Sequence, residues 1–315
     1  MFNWLRRRQP SKGGSDLPRV DRDVVRHLFV ERYGLPQVDW GMADHWVAQQ
    51  PSDPDIRPRL KRAVVAAWLE EMRDALDADH QAWRRHDVEA LTPLENAAGK
   101  RIAEASASAG AEIARALVPI RGRDPIDPYA IVALKPLEAY ISFKAHFLHD
   151  DANVATSGGF YMQGSESEFP VIALSAAMPH ALETILAHEV THHALVDAGL
   201  PLWAEEGITQ MMEERVAGGA PFNITSEQAA RQRSRWAEDQ LVEYVDGDMF
   251  KSPDDDDQEL AYQLSQWVVR MALERDAKKF FEFLRACRSA DPEHASQAVL
   301  GRSQVEFVRT ICGIP

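Results

Sequence analysis

The segment His188-Glu189-Val190-Thr191-His192 constrains this chain more than any other. Its imidazoles stand four residues apart, so a helix brings both to one face, where they can reach a single ion. Glu189 falls at the rim of that face, placed to hold a water molecule. The surroundings read as helix. Alanine, leucine and isoleucine dominate from Ala176 to Ala187, and Pro179 stands where a first-turn proline is tolerated. Leu182, Ile185, Glu189, His192 and Val196 recur at steps of three to four residues, the pattern of an inward stripe. Asp197-Ala198-Gly199 supplies a helix end, and Pro201 blocks continuation. The motif therefore falls near the C-terminal end of a buried, amphipathic helix.

The H-E-x-x-H arrangement is that of zinc-dependent peptidases, and a tetrahedral catalytic zinc takes three protein ligands while leaving one position for water. The third ligand has to be a His, Asp or Glu from further along the chain. A metzincin would carry glycine and histidine where this chain has Leu195 and Ala198, which excludes that class. Asp197 follows His192 too closely and lies on the wrong turn; it reads as a cap or a solvated side chain. What remains is the Glu205-Glu206 pair in Leu202-Trp203-Ala204-Glu205-Glu206-Gly207, opening a second helix that runs to about Val216.

With HEVTHH followed by LPLWAEEGITQMMEE, the chain resembles the gluzincin-type, peptidase MA-like zinc metallopeptidases, which are distant relatives of the zinc aminopeptidases. In that family a second helix bearing W-x-x-E-G supplies the third ligand, the glutamate directly before the glycine. The resemblance thus implies one Zn2+ per chain, held by His188, His192 and Glu206, with Glu205 as a polar non-ligand. It implies Glu189 as the general base that activates water. Glu213, seven residues after Glu206, matches a glutamate common in such helices and would orient a zinc-bound imidazole from behind. Gly207 has a physical reading too, since a residue without a side chain lets two helices approach closely.

Further along, the stretch from Glu259 to Val269 resembles the family's apolar helix that carries a tyrosine. This implies Tyr262 as donor to the oxyanion of a tetrahedral intermediate; packing of Tyr262 on the core is the other reading. Ser265 stands where the family has a small residue, and Ala298–Ser303 resembles the closing helical segment. The G-x-M-E-N segment with which the aminopeptidase relatives bind a free amine is missing from Gly158–Gly164 and Phe169–Ser175, which speaks against aminopeptidase action. Those two runs read as a hairpin joined by the polar loop Ser165–Glu168. Val171–Ser175 would lie alongside the active-site helix, either as an edge strand able to pair with an extended peptide or as an internal strand.

Composition sets outer limits. At 315 residues the chain can build one large domain or two. Its net charge of −14 argues against nucleic acid or an anionic membrane as main partner. Cys287 and Cys312 imply no disulfide framework and suit a reducing compartment. No stretch reaches the roughly 18–20 apolar residues of a membrane span, so no integral membrane association is expected. Met1–Arg8 lacks the apolar core of a secretory signal. A cytoplasmic protein is the expectation; no motif fixes an oligomeric state.

Residues 1–20 read as a flexible tail, 21–125 as an N-terminal helical region and 126–315 as the gluzincin-like metallopeptidase domain. Within the helical region, whose pattern runs from Asp21 to about Ile120, Leu60, Val64, Ala67, Trp68, Met72 and Leu76 form one stripe. Arg121–Pro128 is a turn-rich connector. Tyr129–Leu134 and Ala139–Phe147 read as strands, residues 226–315 as helix interrupted at Asp246–Asp257, and Asp254–Asp257 as a solvated loop. The expected class is α+β and mostly helical, a small sheet packed on a zincin-type active-site helix. The expected function is a zinc metallopeptidase acting on a peptide or protein substrate. A catalytically silent zinc-binding or interaction protein on the same fold is the alternative.

Overall fold

The computed structural model describes residues 20–32, 34–50, 57–76, 80–85, 88–93, 96–122, 126–135, 137–148, 158–162, 169–177, 181–218, 222–236 and 238–314. The chain divides into two compact units, Met1–Ser108 with Asp127–Leu186, and Ala109–Ile126 with Ala187–Pro315. Helices dominate, joined by a five-stranded mixed sheet and a two-stranded hairpin, so the fold is α+β and mostly helical.

In the first unit, α1 (Arg22–Val25) leads into the hairpin β1 (Phe29–Arg32) and β2 (Leu35–Val38), which turns at Gly34 with φ 76°. Helices α2 (Trp40–Gln49) and α3 (Arg57–Ala75) follow, then β3 (Gln81–Arg85), β4 (Val88–Thr92), α4 (Asn96–Arg121, continuing into the second unit), β5 (Tyr129–Leu134), α5 (Leu137–Leu148), β6 (Gly159–Met162) and β7 (Val171–Ser175). The sheet order is β3-β4-β5-β7-β6, with β4, β5 and β7 parallel and the outer strands antiparallel. The parallel strands are buried along their whole length, which is why they read as continuous apolar runs. Val65, Trp68, Leu69 and Met72 of α3 and Tyr140 and Phe143 of α5 share one core with Ala130, Val132, Val171 and Ala173 of the sheet. Beneath α3 the Arg62 guanidinium donates to Glu89 of β4 at 2.8 Å, a buried pair in which each partner compensates the other's lost hydration.

The second unit holds most of α6 (Leu182–Leu195), then α7 (Leu202–Ala217), α8 (Ser226–Arg235), α9 (Glu238–Asp246), α10 (Asp255–Ala286), α11 (Pro292–Ala295) and α12 (Gln304–Cys312). A 3₁₀ turn at Val196–Ala198 ends α6, and Gly199 stops it at φ 61°. Trp203 of α7 is fully buried, stacks on Phe283 with centroids 6.2 Å apart and donates its indole N–H to Gln304 Oε1 at 2.9 Å. Four residues on, Gly207 meets α10 so closely that a Cβ there would stand 2.4 Å from the Ser265 carbonyl oxygen and 2.6 Å from Val269 Cγ2. The close approach read from Gly207 is thus to the tyrosine-bearing helix.

Several expectations need correction. Ala139–Phe147 is helix, because Tyr140 and Phe143 reach the core at a three-residue step; the alternation of Ser142, Lys144 and His146 with apolar residues imitates a strand over so short a run. The helical pattern from Asp21 to Ile120 is interrupted by β1–β4, strands of four or five residues that owe their existence to pairing. Of the two readings of Val171–Ser175 the internal strand holds: it forms the expected hairpin with β6, and β5 and β6 occupy both of its edges, so no peptide can add there. Asp255–Asp257 open α10 with Asp254 as N-cap; carboxylates suit the positive end of a helix. Val196 is 44 % exposed, and Leu186, Val190 and Ala194 face inward instead, because α6 is buried around most of its girth, polar residues included. Helix α6 begins only at Leu182; Pro179, residues 1–19 of the expected tail and the loop Ser165–Glu168 lie outside the described residues. Among the described residues, no helix is long and apolar enough to cross a membrane.

The Gly207 contact carries a measurable consequence. Gly207→Ala forces backbone of α7 and α10 apart and is expected to cost about 3 kcal/mol in denaturant unfolding. A change within 0.5 kcal/mol, on the order of an ordinary surface substitution, would show that the two helices are not held as tightly as described.

Candidate metal centre

The helical period of α6 places His188 and His192 one above the other, ring centroids 4.8 Å apart, with their Nε2 atoms separated by 3.0 Å. Opposite them stands Glu206 from the first turns of α7, with Oε2 3.7 Å from His188 Nε2 and Oε1 3.6 Å from His192 Nε2. Ligand atoms of the three residues all lie within 4.8 Å of one another. Glu206 Oε2 is buried and has no hydrogen-bond partner, although an orphaned carboxylate oxygen in the interior is costly. Two imidazole nitrogens and a carboxylate oxygen facing one small volume are a donor set that a divalent ion fits.

Both rings are held from behind. The Nδ1–H of His188 donates to Glu213 Oε1, as the sequence suggested. The Nδ1–H of His192 donates to Glu205 Oε1 at 2.7 Å. Each bond fixes the tautomer that leaves the Nε2 lone pair directed at the shared volume. The role of Glu205 was not foreseen: the structure makes it the orienting partner of His192. A signal was present, since a second imidazole needs a second orienting acceptor and Glu205 adjoins the ligand position.

Burial works against a charged His188, yet its bond to Glu213 and the nearby charge of Glu189 outweigh this and raise its pKa. For His192 burial is likewise overcome, by the bond to Glu205 and the charge of Glu206, and its pKa rises from 6.5 to about 9. Burial raises the pKa of Glu206, and the two imidazoles pull it partly back. An ion in the same volume takes over the role of the proton.

Glu189 is 6 % exposed, and its charge acts on both imidazoles and on Tyr262. Tyr262 is half-buried on α10, its ring edge-on to Phe250 with centroids 5.2 Å apart. Its hydroxyl bonds to no described residue, and burial together with the charges of Glu206 and Glu189 raises its pKa, so it keeps its proton. Gln210 of α7 donates to the Tyr262 carbonyl at 3.1 Å and ties the tyrosine turn to α7, while the Ser265 hydroxyl donates to the Ala261 carbonyl at 2.9 Å within α10. His193 is buried on another side of α6 and is absent from the converging set. The sequence matches no protein-family model, and no curated protein matches it either.

Metal analysis of protein purified without chelators is expected to give one ion per chain. Glu206→Ala should lose it, while Glu205→Ala keeps it with an affinity weaker by roughly 10–100-fold. Retention of the ion in Glu206→Ala would remove that residue from the ligand set. In the metal-free protein, the folded state holds the His192 proton more tightly than the unfolded chain does. That stabilisation is full below pH 6.5 and is lost as pH rises through about 9. The thermal midpoint of metal-free protein should therefore fall across that window, and Glu205→Gln should flatten the slope; an equally steep fall in the variant would contradict the assigned bond.

Proposed function

We propose that the chain is a zinc metallopeptidase that hydrolyses internal bonds of a peptide or protein substrate. The observation that carries this reading is the facing of His188 Nε2 and His192 Nε2 with Glu206, beside the buried carboxylate of Glu189. Nitrogen, nitrogen and oxygen donors are a zinc set, and three protein ligands leave a fourth position open. When bound, zinc supplies Lewis acidity toward a carbonyl and lowers the pKa of water.

The protein's own groups do the rest. Glu189, next to His188 on the rim of the ligand face, accepts a proton from the attacking water and delivers it to the departing amine. Tyr262, protonated through burial and the neighbouring carboxylates, donates its O–H to the oxygen on which negative charge develops. Glu213 and Glu205 hold the imidazoles so that none of this geometry has to be found anew at each turnover. The missing G-x-M-E-N segment supports cleavage within peptides over removal of an N-terminal residue. The free, buried thiols of Cys287 and Cys312 suit a reducing compartment and support a cytoplasmic setting.

Cleavage of a mixed peptide library, followed by mass spectrometry, tests the reading: products should appear and vanish with 1,10-phenanthroline. Glu189→Gln should keep one ion per chain yet lose on the order of 10³-fold in kcat/KM. Tyr262→Phe should lose on the order of 10²-fold in kcat with KM little changed. A metal-loaded wild-type protein that cleaves nothing in the library would favour the silent, ion-binding alternative, and full turnover by Glu189→Gln would refute the mechanism.

A further inference from the structure

Away from the metal centre, the second unit contains a cavity of about 420 Å³ between the C-terminal half of α10, the turn after Leu300 and α12. Its size falls in the range of small-molecule sites, roughly 300–1,000 Å³. None of its lining residues belongs to the metal centre. Along α10, Ala272 in its wall lies ten residues past Tyr262, about 15 Å of helix.

The floor is apolar. Phe280 and Phe307 stack with centroids 6.2 Å apart and planes 9° from parallel, and Leu300 and Ile311 complete it. The rim is basic. Arg275 and Lys279, four residues apart, come from α10, and Arg302 comes from the turn before α12. All three side chains are exposed, and none is ion-paired or hydrogen-bonded to a described residue. In a protein of net charge −14, a cavity ringed by unpaired cations departs from the general surface.

Asp276 breaks α10 at φ −159° and ψ 79°, and its carboxylate accepts the Lys279 backbone N–H at 3.0 Å, capping the second half of the helix. That carboxylate is the acid in the lining, so the cations exceed the acid by two charges. Because Asp276 already caps the helix, the cationic side chains remain the groups available to an incoming anion. Arginine forks suit phosphate oxygens, which accept two parallel N–H bonds. A phosphate monoester carries close to two negative charges at pH 7.

We propose that this cavity binds a small dianionic molecule of the phosphate-monoester class whose apolar or aromatic body rests on the half-buried Phe307, which the buried Phe280 backs from below. Phenyl phosphate is the probe, titrated calorimetrically into the full-length protein. Saturable binding is expected, weakened at least tenfold in Arg275→Gln and in Arg302→Gln, whose exposed positions leave the thermal midpoint unchanged. Phenol and inorganic phosphate, each carrying half of the recognition, should each bind at least tenfold more weakly than phenyl phosphate. Folded Glu206→Gln, altered at the metal centre, should bind phenyl phosphate as the wild type does. The proposal is overturned by an absence of saturable binding, by undiminished binding in the Arg275→Gln/Arg302→Gln double variant, or by loss of binding in Glu206→Gln. Inorganic phosphate binding as tightly as phenyl phosphate would overturn the role given to the aromatic floor.

Discussion

Two imidazole lone pairs and a carboxylate face the same few ångströms of protein interior, and that convergence organises the second unit. With Nε2 atoms 3.0 Å apart and Glu206 oxygens 3.6–3.7 Å away, the arrangement is expensive without a cation: the carboxylate is desolvated and one of its oxygens has no partner. Glu213 and Glu205 add further negative charge while fixing the rings from behind. Imidazole torsions are otherwise broad, so these bonds convert two adaptable side chains into preset donors. A site that concentrates negative charge in this way is stabilised by whatever positive charge enters it.

The convergence rests in turn on how α7 is seated. Glu206 is followed directly by Gly207, whose missing Cβ lets α7 lie against the Ser265 carbonyl of α10. Trp203, three residues before Glu206, is clamped between Phe283 and the Gln304 side chain. Further along α7, Glu214 accepts bonds from Gln266 at 2.5 Å and Arg270 at 2.8 Å on α10. Glu206 is therefore carried by a helix fixed before, after and within one residue of it. The same seating puts Tyr262 in the electrostatic field of Glu206 and Glu189. The proposed proton donor and the proposed metal ligand are thus set by one helix–helix contact.

Much of the centre was legible because helical spacing is a local property. His188 and His192 share a face through their four-residue step, Glu206 and Glu213 through two turns, and Gly199 with Pro201 marks where the first helix must end. The β6–β7 hairpin was legible for a related reason, since short apolar runs either side of a polar loop pair with their nearest neighbour. Where a short run alternated polar and apolar residues, or several stripes fitted one helix, the reading failed. Ala139–Phe147 could satisfy either period, and the stripe drawn through Val196 on α6 was one of several that fit the residues.

The sequence alone determined which residues can act together within one helix, because a side chain's neighbours three and four positions away are set by backbone geometry. Only the tertiary structure decided which helix faces meet. The rotation of α7 about its axis made Glu205 the partner of His192 and left Glu206 facing both imidazoles. Pairing on both edges of β7 made it an interior strand. Packing of α10 against the turn after Leu300 and α12 brought Arg275 and Lys279 to one cavity with Arg302 and Phe307. Each of these outcomes depends on packing between segments far apart in the chain, and packing is settled by the fit of whole surfaces, which no local pattern records.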